Sequence, residues 1–129
     1  MTLLCGVKGS AETLVTPENT AAAMGSGELP VFATPSMIAL MEQAALLSVQ
    51  PYLEEGQGTV GTKIAISHLA ATPLGAKVRA ETELVAIDRR RLSFTVRAYA
   101  LGEKIGEGTH ERFIVDSARF LQKAEAKKE

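Results

Sequence analysis

One apolar segment constrains the fold more than any other part of this chain. Residues 34–49 (TPSMIALMEQAALLSV) begin with a threonine suited to the N-cap of a helix and a proline suited to its first turn. Good helix formers follow, and Pro51 and Gly56 end the segment. Because apolar residues lie almost all round this helix, it must be buried, and the rest of the chain has to cover it.

The remaining segments alternate in the way typical of strands. We predict a short strand at 11–15 and longer strands at 62–68, 77–87, 92–101 and 105–115, separated by short turns. Thr62, Ile64, Ile66 and His68 share one face of the second strand. Residues 21–30 are expected to form a loop or a broken helical turn. The sequence therefore predicts an α+β fold in which one antiparallel sheet of about five strands wraps around one long central helix.

Length and composition limit the number of domains and the class of partner. With 129 residues, of which 46% are hydrophobic and 22% charged, we predict a single domain over 1–129 whose residues 116–129 form a polar C-terminal tail, helical from Ser117. Fourteen basic and fifteen acidic side chains give a net charge of −1. That balance argues against nucleic acid or an anionic membrane as a partner, since both require a cationic surplus.

The cysteine count and the chain start bear on cofactor and compartment. Cys5 is the only cysteine, so an intramolecular disulfide and a cysteine-based zinc site are both excluded. We find no metal-ligand cluster and expect no metal and no other cofactor. The first ten residues have no basic region typical of a secretory signal, and the apolar segment is shorter than a bilayer span. A cytoplasmic location is expected.

A single small sheet around a helix leaves apolar surface uncovered. One edge and one open face of such a sheet would be exposed unless a second copy covered them. We therefore expect a homodimer or a higher homo-oligomer.

Several short segments, taken in order, point to a family. They are 31–37 (VFATPSM), Glu42 within the helix, 60–62 (VGT), 67–73 (SHLAATP) and 107–112 (EGTHER). Together they closely resemble the fluoroacetyl-CoA thioesterase-like family of hot-dog fold acyl-CoA thioesterases, over about residues 31–116. The resemblance is specific because separate segments occur in the right order with compatible spacing.

The resemblance implies a reaction and the residues that perform it. It implies hydrolysis of an acyl-CoA thioester to free acid and CoA, with Thr34, Glu42 and His68 as catalytic residues. Gly61 and Arg112 match further positions that the family associates with its site. In this scheme Glu42 is a general base on water or a nucleophile, His68 donates or relays a proton, and Thr34 positions the thioester.

The same three residues also have ordinary structural interpretations. A carboxylate on an apolar helix must be paired, neutralised or functional, yet Glu42 can also turn to solvent beside Gln43. A lone histidine on an apolar strand face is more often a hydrogen-bonded core residue. Thr34 has a sufficient role as N-cap, although a helix start also offers free amides suited to a developing oxyanion.

Three basic residues have weaker patterns. Arg112 is suited to holding a substrate phosphate or orienting a carboxylate, although a strand arginine is usually a solvated partner of a nearby acid. Arg90, within the run 89–91, is the candidate contact for the phosphates of CoA, against the alternative of a solvated turn. His110 is expected at the surface or opposite a residue of a neighbouring strand.

Two other functions remain as alternatives. A non-catalytic acyl-CoA-binding module would hold the thioester without turnover. A hot-dog hydratase or dehydratase acting on enoyl or 3-hydroxyacyl thioesters is disfavoured, because that group resembles a pattern with a histidine ahead of the long helix, and no histidine precedes His68.

The chain departs from the fluoroacetyl-selective pattern before the helix. That pattern has aromatic lid residues shortly before the threonine, whereas residues 25–30 (GSGELP) contain no aromatic. We predict that the enzyme accepts several short acyl groups.

The helix geometry separates two of the candidate residues. Thr34 and Glu42 are eight residues apart, which places their backbones about 12 Å apart along the axis and about 80° around it. Either the thioester spans this gap, or Thr34 of one protomer lies near Glu42 of its partner across a two-fold axis. We favour the second arrangement, because the exposed apolar surface already argues for a symmetric dimer.

Overall fold

The computed structural model describes residues 2–128, which form one antiparallel sheet against one long helix. The strands are β1 (Lys8–Leu14), β2 (Gln57–His68), β3 (Lys77–Asp88), β4 (Arg91–Ala100) and β5 (Glu103–Asp116). The helices are α1 (Ala21–Met24), α2 (Thr34–Val49) and α3 (Ser117–Glu125), with 3-10 turns at Pro17–Asn19 and Gln50–Tyr52. The predicted α+β arrangement of five strands and one central helix is confirmed.

The sheet order is β1-β3-β4-β5-β2, and every neighbouring pair is antiparallel. Strands β3, β4 and β5 form a meander joined by two-residue turns at 89–90 and 101–102. Arg89, Leu101 and Gly102 have positive φ, the backbone form that matches the twist of a tight hairpin. β1 and β2 therefore form the two edges.

Helix α2 lies mainly over β1 and β3. Met37, Met41 and Val49 are fully buried and pack with Phe94 and other side chains from the sheet. A Cβ on Gly9 of β1 would collide with the Ala44 carbonyl and with Ser48, so glycine is required for this close approach. The core thus lies between α2 and one face of the sheet.

One side of α2 stays exposed in the single chain. Pro35, Ala39, Gln43 and Leu47, four residues apart, form a stripe that faces solvent. The prediction that the helix is buried all round is wrong for one chain, because the curled sheet covers only one side of it. This stripe is hereafter the α2 stripe.

A β-bulge divides β2. The pairing with β5 shifts between Gly61 and Lys63, so that Thr62 is the extra residue. Thr62 is exposed and its hydroxyl donates to the Glu111 carbonyl at 3.2 Å. The prediction that Thr62 shares a face with Ile64, Ile66 and His68 is therefore wrong. Because of the bulge, Gly61 lies on the same face of the sheet as Ile64, Ile66 and His68, the face toward the helix.

The ends of the chain differ modestly from the predictions. The first strand begins at Lys8 and ends at Leu14 instead of spanning 11–15. The predicted polar tail is helical over Ser117–Glu125, although Phe120 and Leu121 of this helix are apolar and exposed. Within residues 2–128, no helix has the length and apolar character needed to cross a membrane.

Candidate active site

Thr34 and His68 meet at the start of α2. The Thr34 Oγ1 and the His68 Nδ1 are 2.6 Å apart, which joins the first residue of the helix to the last residue of β2. Ala33 is the N-cap, so the prediction that Thr34 caps the helix is wrong. The hydroxyl is instead bonded to the imidazole. We call these two residues the Thr34–His68 pair.

The second ring nitrogen of His68, Nε2, has no hydrogen-bond partner among the described residues, although it is buried. Burial lowers the pKa of His68, and the Ala70 carbonyl opposes this in part. The ring is therefore neutral near pH 7, and the tautomer decides whether its Nδ1 accepts from the Thr34 hydroxyl or donates to it.

An open pocket of about 440 Å³ adjoins the pair. Its other lining residues are mostly small or apolar: Ala21, Ser26, Val31, Phe32, Leu69, Ala70 and Ala71. Thr34 itself is exposed, so this end of the helix is accessible from outside. The arrangement offers hydrogen-bond donors at the mouth of an apolar pocket.

Glu42 lies two turns further along α2, opposite Gly61 of β2. Its side chain is 41% exposed, and its Oε2 lies 3.7 Å from the Arg112 Nη1. A Cβ on Gly61 would lie 2.6 Å from this Oε2, closer than such contacts allow. Glycine at position 61 therefore makes the space that the carboxylate occupies.

Arg112 is a buried cation. It is only 6% exposed, and its Nε and Nη2 donate to the Thr59 hydroxyl and carbonyl at 2.8 and 2.9 Å. Burial lowers the pKa of Arg112 while the Glu42 charge opposes this, and the guanidinium stays charged. The expectation of a solvated strand arginine is wrong. Of its two predicted uses, the geometry fits the orientation of a carboxylate.

His110 is buried beside Arg112 and is not at the surface. It is 1% exposed, lies opposite Ile64 and Phe94 in the neighbouring strands, and stacks on Phe94 at 6.0 Å between ring centroids. The expected cross-strand position is confirmed and the surface position is wrong. The alternation of 110 and 112 along β5 was the signal that both side chains share a face. Glu42, Gly61, His110 and Arg112 are hereafter the Glu42 cluster.

Arg90 stands apart from both groups. It is exposed in the β3–β4 turn, and its Nη1 donates to the Ile114 carbonyl at 3.4 Å. Ile114 pairs with Thr59, which places this turn at the same end of the sheet as Arg112.

The Thr34–His68 pair and the Glu42 cluster are separate within one chain. Along α2 their helical members are about 12 Å apart. Along β2, Gly61 and His68 are seven residues apart, or about 20 Å. The structure thus joins Thr34 with His68 and groups Glu42 with Gly61 and Arg112. Within residues 2–128 there is no group of three or more His, Cys, Asp or Glu suited to a metal ion.

Comparison with known proteins identifies the family. The sequence matches the family of fluoroacetyl-CoA-specific thioesterases (FlK) over residues 15–118. This chain belongs to the FlK family. The fluoroacetyl-CoA thioesterase of Streptantibioticus cattleyicolor is 44% identical over 97 residues, which cover 75% of this chain and 70% of that relative.

Solved structures agree with membership in the FlK family. An FlK variant in complex with acetyl-CoA is 36% identical, with a TM-score of 0.93 and coverage of 98% of this chain and 100% of its own. A thioesterase superfamily member from Thermus thermophilus is 33% identical, with a TM-score of 0.83 and coverage of 96% and 97%. The predicted hot-dog fold is confirmed, and so is the prediction of a thioester hydrolase.

Proposed function

We propose that this protein hydrolyses short-chain acyl-CoA thioesters to the free acid and CoA, with Thr34, Glu42 and His68 as catalytic residues. The observation that carries the proposal is the Thr34–His68 hydrogen bond at the head of α2, with the buried Nε2 of His68 lacking a partner. A buried polar atom without a partner needs one, and a substrate or leaving group supplies it. Membership in a thioesterase family favours hydrolysis over hydration of the acyl chain.

Glu42 acts on the thioester carbonyl carbon, directly or through water. As a general base, the carboxylate takes a proton from water while the water oxygen attacks. As a nucleophile, it attacks the carbon itself, and water then hydrolyses the mixed anhydride. Both routes need an ionised carboxylate with a free lone pair. The 3.7 Å separation from Arg112 is longer than a hydrogen bond, which leaves the carboxylate of Glu42 available.

His68 and Thr34 act on the leaving group and the carbonyl oxygen. In the proposed tautomer the Nδ1 of His68 accepts from the Thr34 hydroxyl, and its Nε2–H donates a hydrogen bond to the sulfur of the departing CoA thiolate, which takes up its proton from the surrounding water. The amides of the first turn of α2 and the positive end of its dipole stabilise the negative charge that forms on the carbonyl oxygen.

The complete site is composed from two copies of the chain. Three features support this: the separation of Thr34 from Glu42, the exposed α2 stripe, and the position of β2, which carries both Gly61 and His68, at an edge of the sheet. An exposed strand edge and an exposed apolar helix face are both surfaces that a second copy can cover. A two-fold axis would then form two equivalent sites, each with the Thr34–His68 pair of one protomer and the Glu42 cluster of its partner.

Mixed dimers test the composite site. Thr34→Ala and Glu42→Gln protomers are each expected to be nearly inactive alone. In a mixed composite dimer one site carries both changes and the other none, so activity returns toward half that of the wild type. Sites within one chain would all keep one change and stay inactive. No recovery, with the mixed dimer verified by native mass spectrometry, would overturn the composite site and leave the hydrolase assignment intact.

The substrate is expected to be a short acyl-CoA without strict selectivity. Residues 25–30 contain no aromatic side chain, and the nearest one, Phe32, is 1% exposed and belongs to the core. The pocket beside the Thr34–His68 pair is therefore open. Gly61 leaves room beside Glu42, Arg112 orients the carboxylate, and the exposed Arg90 is suited to the phosphates of CoA.

A panel of acyl-CoA substrates tests this function. Free thiol release is measured with acetyl-, fluoroacetyl-, propionyl-, butyryl- and longer acyl-CoAs, using Glu42→Gln as the matched variant. We expect similar rates for several short substrates and a loss of about 10²- to 10⁴-fold in the variant. Equal rates in both proteins would overturn the role of Glu42. Calorimetric binding of intact acyl-CoA without turnover would instead favour an acyl-CoA-binding module.

A further inference from the structure

The neighbours of His110 fix its tautomer. Its Nδ1 lies 2.8 Å from the Lys63 carbonyl oxygen, which can only accept, so Nδ1 carries the proton. Its Nε2 lies 3.3 Å from the Arg112 Nη1, which can only donate, so Nε2 is unprotonated and accepts. His110 is therefore neutral and acts as a bridge from the backbone of the bulged strand to the guanidinium.

Arg112 is held along two edges of its planar guanidinium. Thr59 accepts from Nε and Nη2, and His110 accepts from Nη1, the nitrogen that faces Glu42. Thr59 alone would leave Nη1 without a hydrogen-bond acceptor. The bond to His110 completes the contacts of the guanidinium and restrains this nitrogen, and hence its positive charge, beside the carboxylate.

We propose that His110 is a positioning residue for the reaction: its unprotonated Nε2 fixes Arg112 and, through Arg112, the carboxylate of Glu42. The inference rests on the proposed hydrolysis and adds a fourth polar residue to it. His110 does not touch the substrate. It acts by holding the charge that faces Glu42, so its loss should lower turnover and leave substrate binding nearly unchanged.

Burial of His110 favours the same neutral state. Burial and the nearby Arg112 charge lower its pKa, while the Lys63 carbonyl, Glu42 and Glu111 act in the opposite direction. A protonated ring would place two N–H donors against each other at Nε2 and Arg112 Nη1. The bridge therefore exists only with the neutral imidazole.

Two amide variants of His110 separate positioning from packing. His110→Asn places an amide near the position of Nδ1 and can still donate to Lys63, but it is too short to accept from Arg112. His110→Gln reaches further and can accept from Arg112. We expect kcat with acetyl-CoA to fall by about 10- to 100-fold in the first and to recover largely in the second, with KM within about threefold of the wild type in both.

Phe94→Leu is the matched packing control. It changes the ring stacked on His110 without removing a hydrogen bond, so it should lower thermal stability and keep kcat. A wild-type kcat in His110→Asn, or an equal loss in the Asn and Gln variants, would overturn the proposal.

A double-mutant cycle tests whether His110 acts through Arg112. In an Arg112→Lys background, His110→Asn should cost almost nothing further in kcat, because the group it positions has gone. Equal costs in both backgrounds would overturn the proposal. If the wild type hydrolyses no thioester, the proposed function fails by itself. A crystal structure of His110→Asn then decides the positioning role, according to whether the Arg112 Nη1 leaves its place beside Glu42.

Discussion

At the start of α2, Thr34 is exposed and meets His68 beside an open pocket, whereas two turns along the same helix Glu42 faces a buried arginine and a buried histidine. A single hydrogen bond defines the Thr34–His68 pair. The Glu42 cluster is defined by three hydrogen bonds from Arg112 and one from His110 to the Lys63 carbonyl. It also needs glycine at position 61, because a Cβ there would collide with the Glu42 carboxylate.

This difference shows how one helix can support two kinds of chemistry. The start of α2 is suited to admitting a substrate and releasing a product, because the pocket there is already open and few protein groups have to move. The cluster is suited to holding one charge at a fixed place, because each polar atom around Arg112 restricts it. Changes to the pair should therefore affect mainly activity, while changes to the cluster should affect stability, activity or both, depending on which contact is removed.

The largest expected effect is on stability, from Arg112→Leu. This change removes three hydrogen bonds and leaves the Thr59 hydroxyl and carbonyl and the His110 Nε2 without donors, at an expected cost of about 2–4 kcal/mol in the free energy of unfolding. Thr34→Val, which removes one exposed hydrogen bond, should cost about 0.5 kcal/mol or less. Urea unfolding at one protein concentration measures both, and equal costs would contradict the contrast between the two regions.

Gly61→Ala should reduce activity with little change in stability. The new methyl group would displace the end of the flexible Glu42 side chain and lie 3.3 Å from the His110 Cε1, but it would meet no backbone atom, so the fold can accommodate it. The carboxylate, however, would leave its position, with an expected loss of up to about 100-fold in kcat. Gly27→Ala is the control, because its Cβ would meet only the Ala21 Cβ at 3.2 Å. A wild-type kcat in Gly61→Ala would contradict the idea that activity needs the space beside the Glu42 carboxylate.

Stability should depend on pH through the half-buried His68 and the buried His110. Burial lowers the pKa of His68 and His110 in the folded protein below the ordinary value near 6.5, so the unfolded chain binds protons first as the pH falls. Their contribution is complete above about pH 6.5 and is lost below it. His110→Gln should flatten this dependence more than His68→Gln, because His110 is the more buried residue. Unfolding free energies at about pH 7.5 and pH 5 test the order.

The smallest expected effect belongs to Arg90, outside both regions. If it contacts the phosphates of CoA, Arg90→Ala should raise KM by less than about tenfold at low salt, with kcat unchanged. The increase should shrink as salt is added. Arg97→Ala, a change to another exposed arginine of the sheet, is the control. The same KM in both variants would assign Arg90 a purely solvated role.

Much of the fold followed from periodicity, because a long apolar helix and alternating strands are local patterns. The limits of α2 and the pairing of β3 with β4 agree with the sequence predictions almost to the residue. The errors have a common physical origin in pairing between distant segments. The extra residue Thr62 cannot be recognised within β2 alone, since a bulge exists only relative to the partner strand.

The sequence supplies the residues proposed for the site, and it indicates only part of their geometry. Thr34, Glu42 and His68 were singled out through family resemblance, and helical spacing correctly indicated that Thr34 and Glu42 lie apart. The hydrogen bond of Thr34 to His68 replaced the expected capping role, because a helix start can bond its side chain outward when a strand end lies next to it. The burial of His110 and Arg112 depends on which face of β5 meets the helix. The sequence of β5 alone does not show which face that is.

The sheet order also sets a sequence of folding events. Strands β3, β4 and β5 are consecutive and joined by two-residue turns, so their contacts close short loops, whereas β2 joins β5 across a longer stretch of chain and β1 joins β3 across a longer one still. We expect the meander to gain amide protection first in a pulsed hydrogen-exchange experiment, β2 next and β1 last. Gly61 and His68 would then arrive on a finished meander, so the chain matures into an enzyme only late in folding.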